Sequence, residues 1–186
     1  MRALGELQMS IMRYPGGNFA SGYHWEDGVG PQEQRPTVRE LAWQSIETNA
    51  FGTDEFLKLC GKMGWEPMLA VNLGTGSPEE ARNWVEYCNS EAGTKYADQR
   101  GKNGVKEPHG VKYWCLGNEM DGPWQLGHVP AKEYAIRAQQ AAKMMKDCDR
   151  SIEMVACGSS GTGITTFPEW DHEVLEYIGT LAPYVS

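Results

Sequence analysis

Val111-Lys112-Tyr113-Trp114-Cys115-Leu116-Gly117-Asn118-Glu119-Met120-Asp121-Gly122-Pro123-Trp124-Gln125 is the stretch on which the fold turns. Residues 111–116 join β-branched, aromatic and small apolar side chains, the composition of a buried strand. The run breaks at Gly117, and the polar pair Asn118-Glu119 follows at once. In α/β proteins the carboxyl ends of parallel strands carry the functional groups. A carboxyl group set there among Trp114, Met120 and Trp124 is expected to be desolvated, which raises a carboxyl pKa and suits a general acid. The competing reading is a Glu119 that caps a turn or pairs with a cation on the surface.

Similar apolar runs flank this one. Ile152-Glu153-Met154-Val155-Ala156-Cys157 is a second clear strand, and Pro67-Met68-Leu69-Ala70-Val71-Asn72 a third, with its proline at the tolerated first position. Ile11-Met12-Arg13 is a weaker fourth. Helical patterns fill the gaps. Ser77-Pro78-Glu79-Glu80 offers an N-cap, a proline in the first turn and a capping-box acid, followed by a stripe of Ala81, Trp84, Val85 and Cys88. Asp54 and Glu55 open a helix with Phe56, Cys60 and Met63 on its apolar face and Gly64 as its stop. Tyr134, Ala138, Ala141 and Met145 stripe another. Trp170, Val174, Tyr177, Ile178 and Leu181 stripe a last one, after a Thr166…Glu169 capping-box spacing. Residues 2–8 read as the tail of a helix, and residues 15–52 as an elaborate polar, Gly-rich loop.

Strands separated by helices pair in parallel through right-handed crossovers. Two architectures satisfy this order, an open doubly wound sheet and a (β/α)8 barrel. The 186 residues suit one domain, but a complete barrel needs about 250.

Composition narrows the function. With 17 Lys+Arg against 25 Asp+Glu the net charge is −8, which disfavours nucleic acid and anionic membrane as partners. No apolar run approaches a membrane span, and the first residues lack a secretory pattern, so a cytoplasmic protein is expected. Five cysteines without a C-x-x-C spacing and four histidines without an H-x-x-x-H spacing give no metal or redox motif. Gly74-Thr75-Gly76-Ser77 begins like a dinucleotide fingerprint, but Glu79 stands where the third glycine belongs. The glycines of 158–163 lack the lysine of a phosphate loop and the spacing of a nucleophile elbow. No cofactor is expected. Seven tryptophans are consistent with core packing or with stacking on sugar faces.

Arg13-Tyr14-Pro15-Gly16-Gly17-Asn18-Phe19 puts Arg13 and Asn18 at a strand end on the face of Glu119. That stretch, Trp25-Glu26-Asp27-Gly28-Val29-Gly30-Pro31, Arg35-Pro36, Leu41-Ala42-Trp43, Glu47-Thr48-Asn49-Ala50-Phe51-Gly52, Val71-Asn72-Leu73-Gly74-Thr75-Gly76 and residues 117–125 together closely resemble the α-L-arabinofuranosidases of glycoside hydrolase family 51. The resemblance runs in order over nearly the whole chain.

It implies an α/β fold, a partial (β/α)8 barrel comprising roughly strands two to five with their helices across residues 1–186. Strand one, strands six to eight and a C-terminal β-sandwich are expected to lie outside. It implies a retaining hydrolase acting on terminal α-L-arabinofuranosyl groups of arabinan and arabinoxylan, with a homo-oligomeric parent enzyme. The family's acid/base maps onto Glu119, and its substrate-binding asparagine onto Asn118. Arg13, Asn18 and Trp43 map onto further substrate contacts, and Trp124 onto the subsite beyond the scissile bond. The family nucleophile, a Glu ending strand seven, has no counterpart here. The isolated segment is therefore expected to be inactive and to leave strand edges open. The alternatives are a non-catalytic sugar-binding fragment, an endo-glycanase of the same superfamily and, more remotely, a nucleotide-dependent enzyme.

Overall fold

A computed structural model describes Leu4, Glu6 and residues 9–186; the helix expected over residues 2–8 lies largely outside them. Five strands form one parallel sheet: β1 (Ile11–Tyr14), β4 (Glu66–Ala70), β5 (Tyr113–Leu116), β6 (Glu153–Ala156) and β7 (Tyr184–Val185), side by side in that order. Between β1 and β4 a separate antiparallel hairpin, β2 (Val38–Glu40) and β3 (Ser45–Glu47), stands apart from the sheet. The helices are α1 (Thr53–Met63), α2 (Pro78–Asn89), α3 (Lys95–Lys102), α4 (Ala131–Cys148) and α5 (Glu169–Ile178).

The strand order decides between the two architectures. A doubly wound sheet reverses its direction of growth at a switch point. Here each new strand of the sheet joins the same edge, so right-handed crossovers leave the helices on one side, as in a barrel. The chain is thus part of a (β/α) barrel, with the second face of the sheet turned inward.

Strand alternation divides the side chains accordingly. Tyr14, Leu69, Trp114, Leu116, Met154 and Ala156 join the large core under the helices. Trp114 meets Trp84 of α2 edge-on at 5.8 Å, and Tyr134 of α4 stacks on Trp170 of α5 at 5.4 Å. The opposite face carries Ala70, Cys115 and Val155 with Met68 packed against them. The Tyr134 hydroxyl donates to the carbonyl of Leu116 and accepts from the backbone N–H of Cys157, both at 2.8 Å, and so pins the ends of β5 and β6 together.

The expected helix ends are present at α1 and α2. The Ser77 hydroxyl accepts from the N–H of Glu80, and Gly64 closes α1 at φ +70°. Other expectations need correction. Thr166 does not cap α5; its hydroxyl donates to Asp121. The loop read over 15–52 contains the β2–β3 hairpin and three short 3-10 turns. Helix α3, which the sequence reading did not anticipate, buries only Tyr96, Ala97 and Arg100, and the Arg100 guanidinium donates to the carbonyls of Tyr87 and Ser90. Tyr184–Val185 pairs with Val155 and Ala156, extending the sheet one strand beyond the four expected. Two residues with exposed side chains are too short a run to register as a strand.

Candidate active site

The turn after β5 is built by a backbone that only certain residues tolerate. Gly117 has φ +93°, where a side chain would be strained. Glu119 itself sits at φ +43°, an uncommon conformation for a residue other than glycine, and such strain gathers at functional sites. Asn118 is buried between them, whereas Glu119 is exposed. The burial expected for Glu119 is therefore not found. Trp114 points to the helix layer, and Met120 is buried in the same core. Only Trp124 reaches the carboxylate, donating from Nε1 to Oε2 at 2.9 Å.

Asn118 is held from both sides. Arg13 Nη1 at the end of β1 donates to its Oδ1 at 3.0 Å, and its Nδ2 donates to Gln125 Oε1 at 3.3 Å. Gln125 Nε2 in turn donates to the Ser21 hydroxyl and, at 3.4 Å, to the carbonyl of Asn18. The sequence thus placed Arg13, Asn118 and Glu119 on one face, and the structure brings them together around an open cleft of about 480 Å³. Its floor is Met68, Cys115 and Val155, the inward residues of three adjacent strands. Asn18 enters through its backbone carbonyl; its side chain does not line the cleft, and its Oδ1 is buried without a hydrogen-bond partner.

The far wall is the loop after β6. Asp121, almost fully buried, accepts from the N–H and hydroxyl of Ser160 and from the hydroxyl of Thr166. Asp171 accepts from the N–H of Ser159 at 2.7 Å. Carboxylates already occupy these loop N–H groups, so the glycine-rich 158–163 segment is no phosphate cradle. Gly74 has an equally structural cause. A Cβ there would sit 2.5 and 2.6 Å from the carbonyl oxygens of Leu126 and Ser21, so glycine is what lets the loops after β1, β4 and β5 touch.

Five of the seven tryptophans are core residues, and the two exposed ones, Trp43 at 71% and Trp124 at 52%, are those singled out for sugar contact. Trp43 rides on the β2–β3 turn and does not line the Glu119 cleft. Its support is Glu40, whose carboxylate accepts from the N–H groups of Ala42 at 2.6 Å and Trp43 at 2.7 Å. Arg35 braces the same loop by a two-point pair with Glu55 and by donating to the carbonyls of Gly30 and Asn49. Ser21 and Glu40 had no signal in the sequence, and Asp121 and Gln125 stood in the 117–125 motif without a readable role, because each role is defined by a partner and not by a pattern.

Comparison with known proteins gives the family. Residues 3–177 match the family model described as the alpha-L-arabinofuranosidase 1 domain. The chain is 56% identical, over 97% of its length, to an intracellular exo-alpha-(1->5)-L-arabinofuranosidase of Acetivibrio thermocellus, and 55% identical over the same share to one of Bacillus subtilis. It covers 36% of each of those two proteins, about a third of their length. Among solved structures, a family 51 alpha-L-arabinofuranosidase of Bifidobacterium longum superposes with a TM-score of 0.96 at 48% identity, over 99% of this chain and 36% of that one. The arabinose complex of the Thermotoga maritima enzyme does so with 0.93 at 46%, over 99% and 37%. On the family model, the sequence identity and the fold together, the chain belongs to the α-L-arabinofuranosidases of glycoside hydrolase family 51.

Proposed function

We propose that this chain forms the acid/base half of a retaining α-L-arabinofuranosidase that releases terminal α-L-arabinofuranosyl groups from arabinan and arabinoxylan. Glu119 protonates the leaving oxygen and, in the second step, takes a proton from the attacking water. Asn118 donates to a sugar hydroxyl, with Arg13 holding its carboxamide. Asn18 belongs to the same sugar pocket, Trp43 packs on the furanose or its neighbour, and Trp124 lies toward the leaving group while holding one oxygen of Glu119. The reading rests on one observation, an exposed carboxylate at the carboxyl end of β5 beside an asparagine clamped by Arg13.

Double displacement needs a second carboxylate about 5–5.5 Å from the first. Glu119 is the only acid lining the cleft among the described residues. We therefore assign the nucleophile to a part of the parent enzyme outside residues 1–186, together with the remaining barrel strands and the β-sandwich. The same observation favours a second reading for the segment alone, a sugar-binding but non-catalytic piece. The parent is assigned to the cytoplasm and to a homo-oligomer; the names of the Acetivibrio and Bacillus relatives, which include the word intracellular, support the first.

The test is hydrolysis of an aryl α-L-arabinofuranoside and of arabinan by the full-length enzyme and its Glu119→Gln variant. A fall in kcat of about 10²–10⁴-fold on arabinan is expected, the usual worth of general acid–base catalysis. A variant that keeps its rate on arabinan refutes the assignment. The isolated 186 residues are expected to turn over neither substrate.

A further inference from the structure

The hydrogen bonds around Asn118 carry a direction. An arginine guanidinium has donors only, so the Asn118 atom facing Arg13 Nη1 at 3.0 Å is the oxygen. Its amide nitrogen then faces Gln125, and the Gln125 atom that receives it is again the oxygen, at 3.3 Å. That leaves the Gln125 nitrogen toward two acceptors, the Ser21 hydroxyl and the Asn18 carbonyl. Ser21, having accepted, turns its own proton to the sulfur of Met120 at 3.9 Å. One charged group at the cleft thus orients two carboxamides and a hydroxyl in series. Asn118 lines the cleft, whereas Gln125 and Ser21 lie behind it and do not.

We propose that Gln125 is a positioning residue for the reaction: by accepting one N–H of Asn118 it leaves the other N–H aimed into the cleft at the hydroxyl next to the anomeric carbon. This rests on the function proposed above. An amide nitrogen has two protons, and a carboxamide held by its oxygen alone can still swing about its side-chain torsions. Held also by one proton, it has a fixed plane, and the second proton has one direction. Hydrogen bonds to the 2-hydroxyl strengthen in the transition state of retaining glycosidases, so a donor fixed in advance contributes to rate more than to affinity. Gln125 reaches Asn118 across the turn that carries Glu119 and is anchored on the loop after β1, so it also sets the donor relative to the acid/base.

The experiment uses the full-length enzyme and two substrates, an aryl α-L-arabinofuranoside and its 2-deoxy analogue. The ratio of their kcat/KM values is measured within one preparation, so loss of folded protein cancels. Gln125→Ala is expected to lower that ratio about five- to tenfold, a typical net hydrogen bond, mainly through kcat on the hydroxylated sugar. Ser21→Ala, which removes the anchor behind Gln125, is expected to lower it about twofold and serves if Gln125→Ala does not fold. A ratio unchanged in both variants, with both substrates slowed alike or not at all, overturns the positioning role. Wild-type enzyme that hydrolyses neither arabinofuranoside overturns the functional reading and this inference with it.

Discussion

The turn after β5 and the β2–β3 hairpin each present an exposed tryptophan, yet they are held in opposite ways. The β5 turn is tied to residues more than a hundred positions earlier, Arg13 to Asn118 across 105 positions and Ser21 to Gln125 across 104. The hairpin is held at its tip by its own Glu40, two and three residues from the N–H groups it accepts. A site assembled by distant bonds exists only once the sheet is built, and the fold sets its geometry. A tip assembled by local bonds keeps its shape wherever the hairpin goes. The first arrangement suits groups that act on a reacting bond, where small misplacements are costly. The second suits a surface that packs against substrate.

That contrast can be broken at several points. In the full-length enzyme, Arg13→Ala removes the distant anchor of Asn118, and kcat/KM is expected to fall about 10- to 100-fold, the range for a hydrogen bond to a charged group. Steady-state kinetics on an aryl arabinofuranoside reads it. Asp121→Ala strips the loop after β6 of three hydrogen bonds from a buried carboxylate. A loss of about 3 kcal/mol is expected in denaturant unfolding, large for one substitution. Glu40→Ala loosens only the hairpin tip. It is expected to raise KM on arabinan about threefold, roughly 0.7 kcal/mol, with kcat nearly unchanged. An effect as large as that of Arg13→Ala would erase the distinction between the two regions.

The smallest effect concerns the brace behind the hairpin. Burial pushes the Glu55 carboxyl up, but the hydrogen bond from Arg35 and the N–H of Gly52 outweigh it, so its pKa lies below the ordinary 4.5. A carboxyl depressed in the folded state adds stability above its unfolded pKa and loses it as pH falls through the lower, folded value. Wild type is therefore expected to lose its margin over Glu55→Gln as pH drops below about 4.5, followed by thermal unfolding across acid pH.

Most of the sheet was legible in the sequence because β4, β5 and β6 are apolar runs closed by glycine or polar residues, and α1 and α2 carry their caps. Helix α3 was not, since it is short and one of its three buried residues is an arginine satisfied by carbonyls. Tyr184–Val185 is a strand only through its neighbour β6. At the site, Glu119 and Asn118 were visible as the polar break after a buried strand. The environment of Glu119 was misjudged: alternation sends Trp114 to the helices, so sequence proximity to an apolar residue did not mean burial with it. Ser21, and the role of Gln125 within its motif, were unreadable for a related reason. A hydrogen bond across a hundred residues leaves no periodicity or spacing to find.

The most direct test of the account is chemical rescue at Glu119. In the full-length Glu119→Ala enzyme, azide can enter the space left by the carboxylate and attack the glycosyl-enzyme without needing a general base. The account predicts that azide accelerates turnover of an aryl α-L-arabinofuranoside with a good leaving group and that the product is the azide of retained configuration. No acceleration and no glycosyl azide, with wild-type enzyme active beside it, would contradict Glu119 as the acid/base.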